Sequence, residues 1–309
     1  MSADAAPPGP TRFLRGATFV VADPAASAAR YVRWFGYRLA ESGVVPEELA
    51  RAWDAPAMAG RAYCVVEPGP GPGAMIRFIS GSPIAPHGRF SRLGWNAIEI
   101  CVEDVHAAHA GMKGSPFEVI GPPPLTSALG TVLPMQVEGL DQDVIFLTEI
   151  KDKTPGNGLP RPRAPFDDLF IMVCGVRDAA ATYGWYERHL GVEPRAAFDY
   201  RYDMINRAFG LPAEHLTHIR TAKGGGYVCL EFDSMPAAAG VRSSAPGELP
   251  FGLAMATFAL RDLGQIRDVP HARIAPRGAA GGRFYGAGAG AGVLRDPDGN
   301  LIEVVEDIQ

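Results

Sequence analysis

The chain is short of several things, and each shortage excludes a class of protein. Only four cysteines occur in 309 residues, Cys64, Cys101, Cys174 and Cys229, far apart and set among apolar, strand-like neighbours. They read as buried thiols, because a disulfide framework or a zinc site needs denser or paired spacing. No apolar run approaches the roughly 20 residues of a membrane-spanning helix. Lys and Arg number 29 against 34 Asp and Glu, with no basic block of the kind that tracks phosphates. The expected partner is therefore a small molecule, not nucleic acid or a membrane. The start, MSADAAPPGPTRF, lacks the charged-then-apolar order of a secretory signal, so residues 1–11 read as a flexible arm and the cytoplasm is the default location. No Ser-His-Asp or Cys-His order is legible. The Gly-x-Gly spacing of YGAGAGAGVL (285–294) opens a strand, which argues for a rim loop and against a dinucleotide loop.

What is present is repetition. Four segments end an apolar strand in a residue followed by Asp and then a helix-like stretch: ATFVVAD at Asp23, AIEICVED at Asp104, FIMVCGVRD at Asp178 and MATFALRD at Asp262. Each Asp can cap the helix behind it by accepting from free amides. The segments also close alike, in AMIRFIS, DVIFLTEI, YVCLEFDS and NLIEVVE, each after a turn. Each unit reads as strand, helix, then about three strands. The first and third carry fuller helices, RYVRWFGYRLAE (30–41) and YGWYERHLGVEP (183–194), while the second and fourth are less periodic. Residues 151–164, charged and rich in Pro and Gly, form the natural linker. Four modules at about 12–84, 92–150, 165–236 and 249–309 are thus expected to pair into domains at 12–150 and 165–309. Pairing by exchange between the halves stays open, as does a homodimer.

These modules, WYERHLG behind an Asp-headed helix and the terminal DPDGNLIEVVE together resemble the vicinal oxygen chelate superfamily, which includes glyoxalases, extradiol dioxygenases and bleomycin-binding proteins. The resemblance implies an α+β fold of four βαβββ modules, paired into two domains. Each domain is an open, cup-shaped mixed β-sheet with flanking helices. It also implies a divalent metal (Fe, Mn, Zn or Ni), held by a residue on each module's first strand, commonly His, and one on each last strand, commonly Glu.

Counting back seven residues from each Asp, the first-strand positions hold Gly16, Ala97, Ile171 and Met255, and a shift of one residue restores no His. The last strands hold Arg77, Phe146, Glu231 and Glu303. The N-terminal cup is thus expected to lack a metal. Glu231 and Glu303 are the expected catalytic or metal-binding pair, with His218 as a third ligand. Tyr200, Tyr202, His218 and Tyr285 are expected to bind substrate. Arg77 is expected either to pair with Glu99 or to fork a substrate carboxylate. Cations available to the two acids include Arg220, Arg283 and Arg295. The resemblance implies lyase- or isomerase-type proton transfer near a carbonyl of a small metabolite. A ring-cleaving extradiol dioxygenase and a non-catalytic ligand-binding protein are the alternatives.

Overall fold

The computed structural model describes residues 13–126, 130–274, 282–285 and 290–306. The expected arm, 1–11, and the glycine-rich stretch 286–289 lie outside the described residues.

The first module runs β1 (Leu14–Val21), α1 (Pro24–Phe35), β2 (Arg38–Val44), α2 (Glu47–Ala52), β3 (Ala62–Glu67) and β4 (Met75–Ser80). The second is β5 (Gly94–Val102), α3 (Val105–Gly111), β6 (Glu118–Gly121), β7 (Val132–Glu138) and β8 (Val144–Ile150). The third is β9 (Phe166–Val176), α4 (Ala179–Leu190), β10 (Glu193–Tyr200), α5 (Asp203–Phe209), β11 (Thr217–Gly224) and β12 (Tyr227–Ser234). The fourth is β13 (Gly252–Leu260), β14 (His271–Ile274), α6 (Gly282–Tyr285), β15 (Ala291–Arg295) and β16 (Leu301–Glu306).

The module-heading aspartates do what their position suggests. Asp23, Asp104 and Asp178 each accept from two amides of the following helix at 2.8–3.1 Å. Asp262 reaches one amide, and only a single 3₁₀ turn, Leu263–Ile266, follows it. The two fuller helices stop earlier than their patterns suggest. Gly36 and Gly191 turn left-handed (φ 66° and 70°) and close α1 and α4, so Arg38 to Glu41 and Pro194 belong to strands.

The strands form two eight-stranded mixed sheets. One has the order β14-β15-β16-β13-β1-β4-β3-β2, the other β10-β11-β12-β9-β5-β8-β7-β6. Module one therefore pairs with module four, and module two with module three, correcting the expected pairing of consecutive modules. The reason lies in the first strands. β1 runs antiparallel to β13 (Ala17 opposite Ala256), and β5 runs antiparallel to β9 (Ile98 opposite Met172). The 151–164 segment is consequently a connection within the second sheet, from β8 to β9, rather than a link between domains.

An apolar core lies behind both sheets and gathers their inner residues, such as Phe19, Phe78, Ile98 and Met172, with Tyr31 and Phe35 of α1 and Tyr186 of α4. Two smaller apolar clusters line the opposite, concave faces. All four cysteines are buried free thiols. No helix among the described residues is long and apolar enough to cross a membrane.

The caps give a local test. Asp178→Ala should destabilise the fold by about 1 kcal/mol, whereas Asp262→Ala, which frees one amide of a short turn, should remove less than half of that. Thermal melts of the two variants check the order.

Candidate functional site

The first cup is closed by its own side chains. In register, Thr18 lies opposite Arg77 and Thr257 opposite Glu303, so these four residues converge at the centre of the concave face. Arg77 donates to Thr18 Oγ1 (3.1 Å), Tyr285 Oη (2.8 Å) and Glu303 Oε2 (2.8 Å). Glu303 also accepts from Thr257 (2.9 Å), Tyr285 (2.7 Å) and Trp53 Nε1 (2.8 Å). The guanidinium stacks among Phe284, Trp53 and Tyr285, with centroids at 4.3, 5.0 and 5.5 Å. Arg77 is 3% exposed and Glu303 is fully buried. Burial works against the Arg77 charge, but Glu303 and Tyr285 outweigh it and raise its pKa. Burial pushes the Tyr285 phenol well above its usual range.

Several expectations are corrected here. The partner of Glu303 is Arg77; Arg220 lies over the Tyr183 ring, Arg283 pairs with Glu67, and Arg295 is 4.0 Å from Asp54. Arg77 pairs with Glu303 and not with Glu99, and Tyr285 is a buried hydrogen-bonding bridge between them. Trp53, a buried residue at the end of α2, also donates to the acid. Glu231 and Glu303 lie on different sheets and cannot act on one ligand.

The second cup is open. Here the register sets Glu99 opposite Phe146 and Glu231 opposite Val173. Glu99 and Glu231 both line a cavity of about 390 Å³, together with Phe146, Phe198, Tyr200, Tyr202, Ile219 and a rim of prolines. Tyr200 and Tyr202 thus reach the cavity as expected. His218 does not: it is exposed on the outer side of β11 and meets Asp199 at 2.9 Å.

The electrostatics of this floor are unusual. Glu99 accepts from Thr148 Oγ1 at 2.8 Å, and burial with the nearby Glu231 charge pushes its pKa up to about 8. Burial and the adjacent Asp233 raise Glu231 well above the carboxylate range. Asp233 itself is fully buried and pushed up to about 8, chiefly by burial. The Tyr202 hydroxyl has no hydrogen-bond partner among the described residues, although the residue is 6% exposed. An unpaired buried hydroxyl is unfavourable unless a ligand meets it.

Counting from the aspartates missed these groups by two residues. The positions that face the last strands are Thr18, Glu99, Val173 and Thr257, not Gly16, Ala97, Ile171 and Met255. A two-residue slip keeps the same face of a strand, so the alternation alone could not expose it. Glu99 was visible as an acid on that face; Asp233 and Thr148 gave no signal apart from spacing.

The metal that the resemblance implies does not fit either cup. In the first, the Arg77 guanidinium fills the centre. In the second, Phe146 and Val173 offer no donor atom, leaving two carboxylates. No group of three or more His, Cys, Asp or Glu side chains among the described residues could hold a metal ion.

Residues 171–304 match the sequence model of the Glyoxalase/Bleomycin resistance protein/Dioxygenase superfamily. Residues 171–304 thus carry the sequence pattern of this superfamily. Its fold is similar to glyoxalase I from Zea mays, with a TM-score of 0.64 at 14% identity over 96% of this chain and 92% of that one. It is also similar to a putative dioxygenase from Bacillus subtilis subsp. subtilis str. 168, with a TM-score of 0.60 at 13% identity over 97% of this chain and 87% of that one. No curated protein matches the sequence significantly. In this chain both eight-stranded sheets are open and flanked by helices, and among the described residues the centre of the first cup is filled by Arg77 and Glu303 while the second holds a cavity.

Two outcomes are expected from these geometries. Arg77→Met alone should destabilise the fold by about 3–5 kcal/mol, because it strands a buried carboxylate, and the Arg77→Met/Glu303→Met double variant should recover much of that loss. Chemical denaturation of the three proteins measures it. The second concerns pH. Glu99 binds its proton more tightly when folded, so its contribution is complete below the unfolded carboxylate range and declines as pH rises toward about 8. Glu99→Gln should therefore flatten that decline and raise Tm at pH 8 by a few degrees, with little change at pH 4.

Proposed function

We propose that this protein is a glyoxalase-like enzyme. It would move a proton beside the carbonyl of a small metabolite with an apolar or aromatic body, in the cup formed by modules two and three. The observation that carries this reading is the pair Glu99 and Glu231 lining one apolar cavity from two modules, beside an unpaired Tyr202 hydroxyl.

The two acids have different surroundings, which suits them to different roles. The Thr148 hydroxyl favours the Glu99 carboxylate, whereas Asp233 disfavours ionisation of Glu231. Glu99, whose carboxylate accepts from Thr148, acts as the base that takes the proton from the carbon. Glu231 stays protonated and donates to the carbonyl oxygen as negative charge develops there. Tyr202 supplies a second donor to that oxygen, its phenol kept neutral because burial raises it well above its usual range. Return of the proton from Glu99 to carbon, at the same or a neighbouring position, with the oxygen's proton passing back to Glu231, completes an isomerisation. Loss of a leaving group from the enolate would make the reaction a lyase. Phe198, Ile219 and the prolines shield the enolate from bulk water.

Ring cleavage of the dioxygenase type gains no support from Phe146 and Val173 at the ligand positions. Plain binding remains the competitor, and one experiment separates the two. Aryl ketones are incubated with the protein in D₂O, and loss of the proton beside the carbonyl is followed by NMR. Wild-type protein should catalyse exchange with a rate rising toward pH 8, and Glu99→Gln should lower it by about 10²–10⁴-fold. Tyr202→Phe should lower it by about 10²-fold. Exchange that is absent from wild type, or undiminished in a Glu99→Gln/Glu231→Gln double variant, would sink the enzymatic reading.

A further inference from the structure

The open cup does not end at its rim. A second cavity of about 410 Å³ adjoins it and shares Ile120, Met204 and Arg207 with it. Together they form one two-lobed groove over α5, an apolar inner lobe above the two acids and an outer lobe beside His87 and Arg89. The charges along this groove are unequal in availability. Arg89 is already held by Glu118 and Glu138, each at 2.7 Å. Burial together with Arg242 and Arg92 pushes His87 down to about 4, so it is neutral at physiological pH. Arg207 stands at the waist, lining both lobes. Its Nε donates to the Asp203 carbonyl at 3.2 Å, and no hydrogen bond among the described residues engages its terminal nitrogens. Arg201, on the inner lobe's rim, has only a distant contact of 3.8 Å with Asp203.

Polarity is thus graded along the groove: carboxyl groups at the floor, apolar walls, and an available guanidinium at the waist. The geometry points to a ligand of matching order, with a carbonyl pole inward, an apolar or aromatic body, and an anionic carboxylate or phosphate group held by Arg207 with Arg201 beside it. A guanidinium fork suits planar anions and adds orientation to attraction. Fixing the anion at the waist would seat the carbonyl end against Glu99 and Glu231. This inference rests on the cup being the site proposed above, and names the class of molecule that enters it.

The test uses the full-length protein and three probes: 4-oxo-4-phenylbutanoate, its methyl ester, and the analogue bearing a primary amine in place of the carboxylate. Binding is measured by titration calorimetry at low ionic strength. Wild type should bind the carboxylate about tenfold more tightly than the ester, and the amine more weakly than either. Arg207→Gln, a change at an exposed residue, should bring carboxylate and ester together while leaving ester affinity unchanged. Equal affinity of carboxylate and ester in wild type would overturn the inference. So would a preference that survives in the Arg201→Gln/Arg207→Gln double variant, or absence of binding by all three probes. The proton-transfer reading fails separately: a carboxylate preference that depends on Arg207, without any exchange beside the carbonyl, would leave the ligand class standing and remove the chemistry.

Discussion

Everything about the site follows from which first strands lie side by side. Two antiparallel junctions, β1 with β13 and β5 with β9, set the outermost modules on one sheet and the inner two on the other. The junction decides which four central residues converge in each cup. It sends Arg77 to Glu303 across 226 positions of sequence and brings Glu99 into the cavity that Glu231 lines. Arg242 reinforces the seam, donating to the carbonyls of Trp95 on β5 and of Phe251 and Leu253 at the start of β13. Gly94 and Gly252 open those strands with positive φ (114° and 83°), and a Cβ on Gly252 would lie 2.8 Å from the Arg242 guanidinium. The seam thus requires glycine where the arginine passes.

Two cups on the same plan have been resolved in opposite electrostatic ways. In the first, a single cation and a single acid neutralise one another, and every other polar atom of the pair meets Thr18, Thr257, Tyr285 or Trp53. Such a pair adds little net stability relative to apolar residues of similar volume, but it fixes one arrangement, because removing either partner leaves a buried charge. In the second, three carboxyl groups share one region and their pKa values rise. With no cation paired to them among the described residues, they hold their protons more tightly than free carboxyls and can lose or lend one when a ligand arrives. The first arrangement is inert for the same reason that the second is suited to chemistry: compensation of charge is complete in one and deferred in the other.

How much of this was legible beforehand depends on the distance over which the signal acts. The modules, their aspartate caps and the α+β class are local properties, visible in periodicity and in residues such as Asp178 and Gly191. Glu231, Tyr200 and Tyr202 were legible as candidates because a last-strand acid and alternating aromatics keep their faces wherever the strand is placed. The union of Glu99 with Glu231 was not, since it depends on which modules pair, and nothing local distinguishes pairing in succession from pairing by exchange. Glu303 misled for the same reason. Its motif identified a concave position on a last strand, but the residue that determines its chemistry, Arg77, lies in the first module.

The difference between an open and a closed cup can be followed to the segments between the middle strands of each module. In the first sheet α2 carries Trp53 onto the acid, and α6 carries Phe284 and Tyr285 over the guanidinium. In the second sheet the third module contributes α5, which delivers Tyr202 to the floor. The equivalent stretch of the second module begins Gly-Pro-Pro-Pro at residues 121–124. Consecutive prolines lack amide donors and cannot sustain a helix interior, so residues 122–124 run without helix. It lines the cavity wall with Pro122 and Pro124 instead. These prolines wall the cup in which, among the described residues, Glu99 and Glu231 have no paired cation.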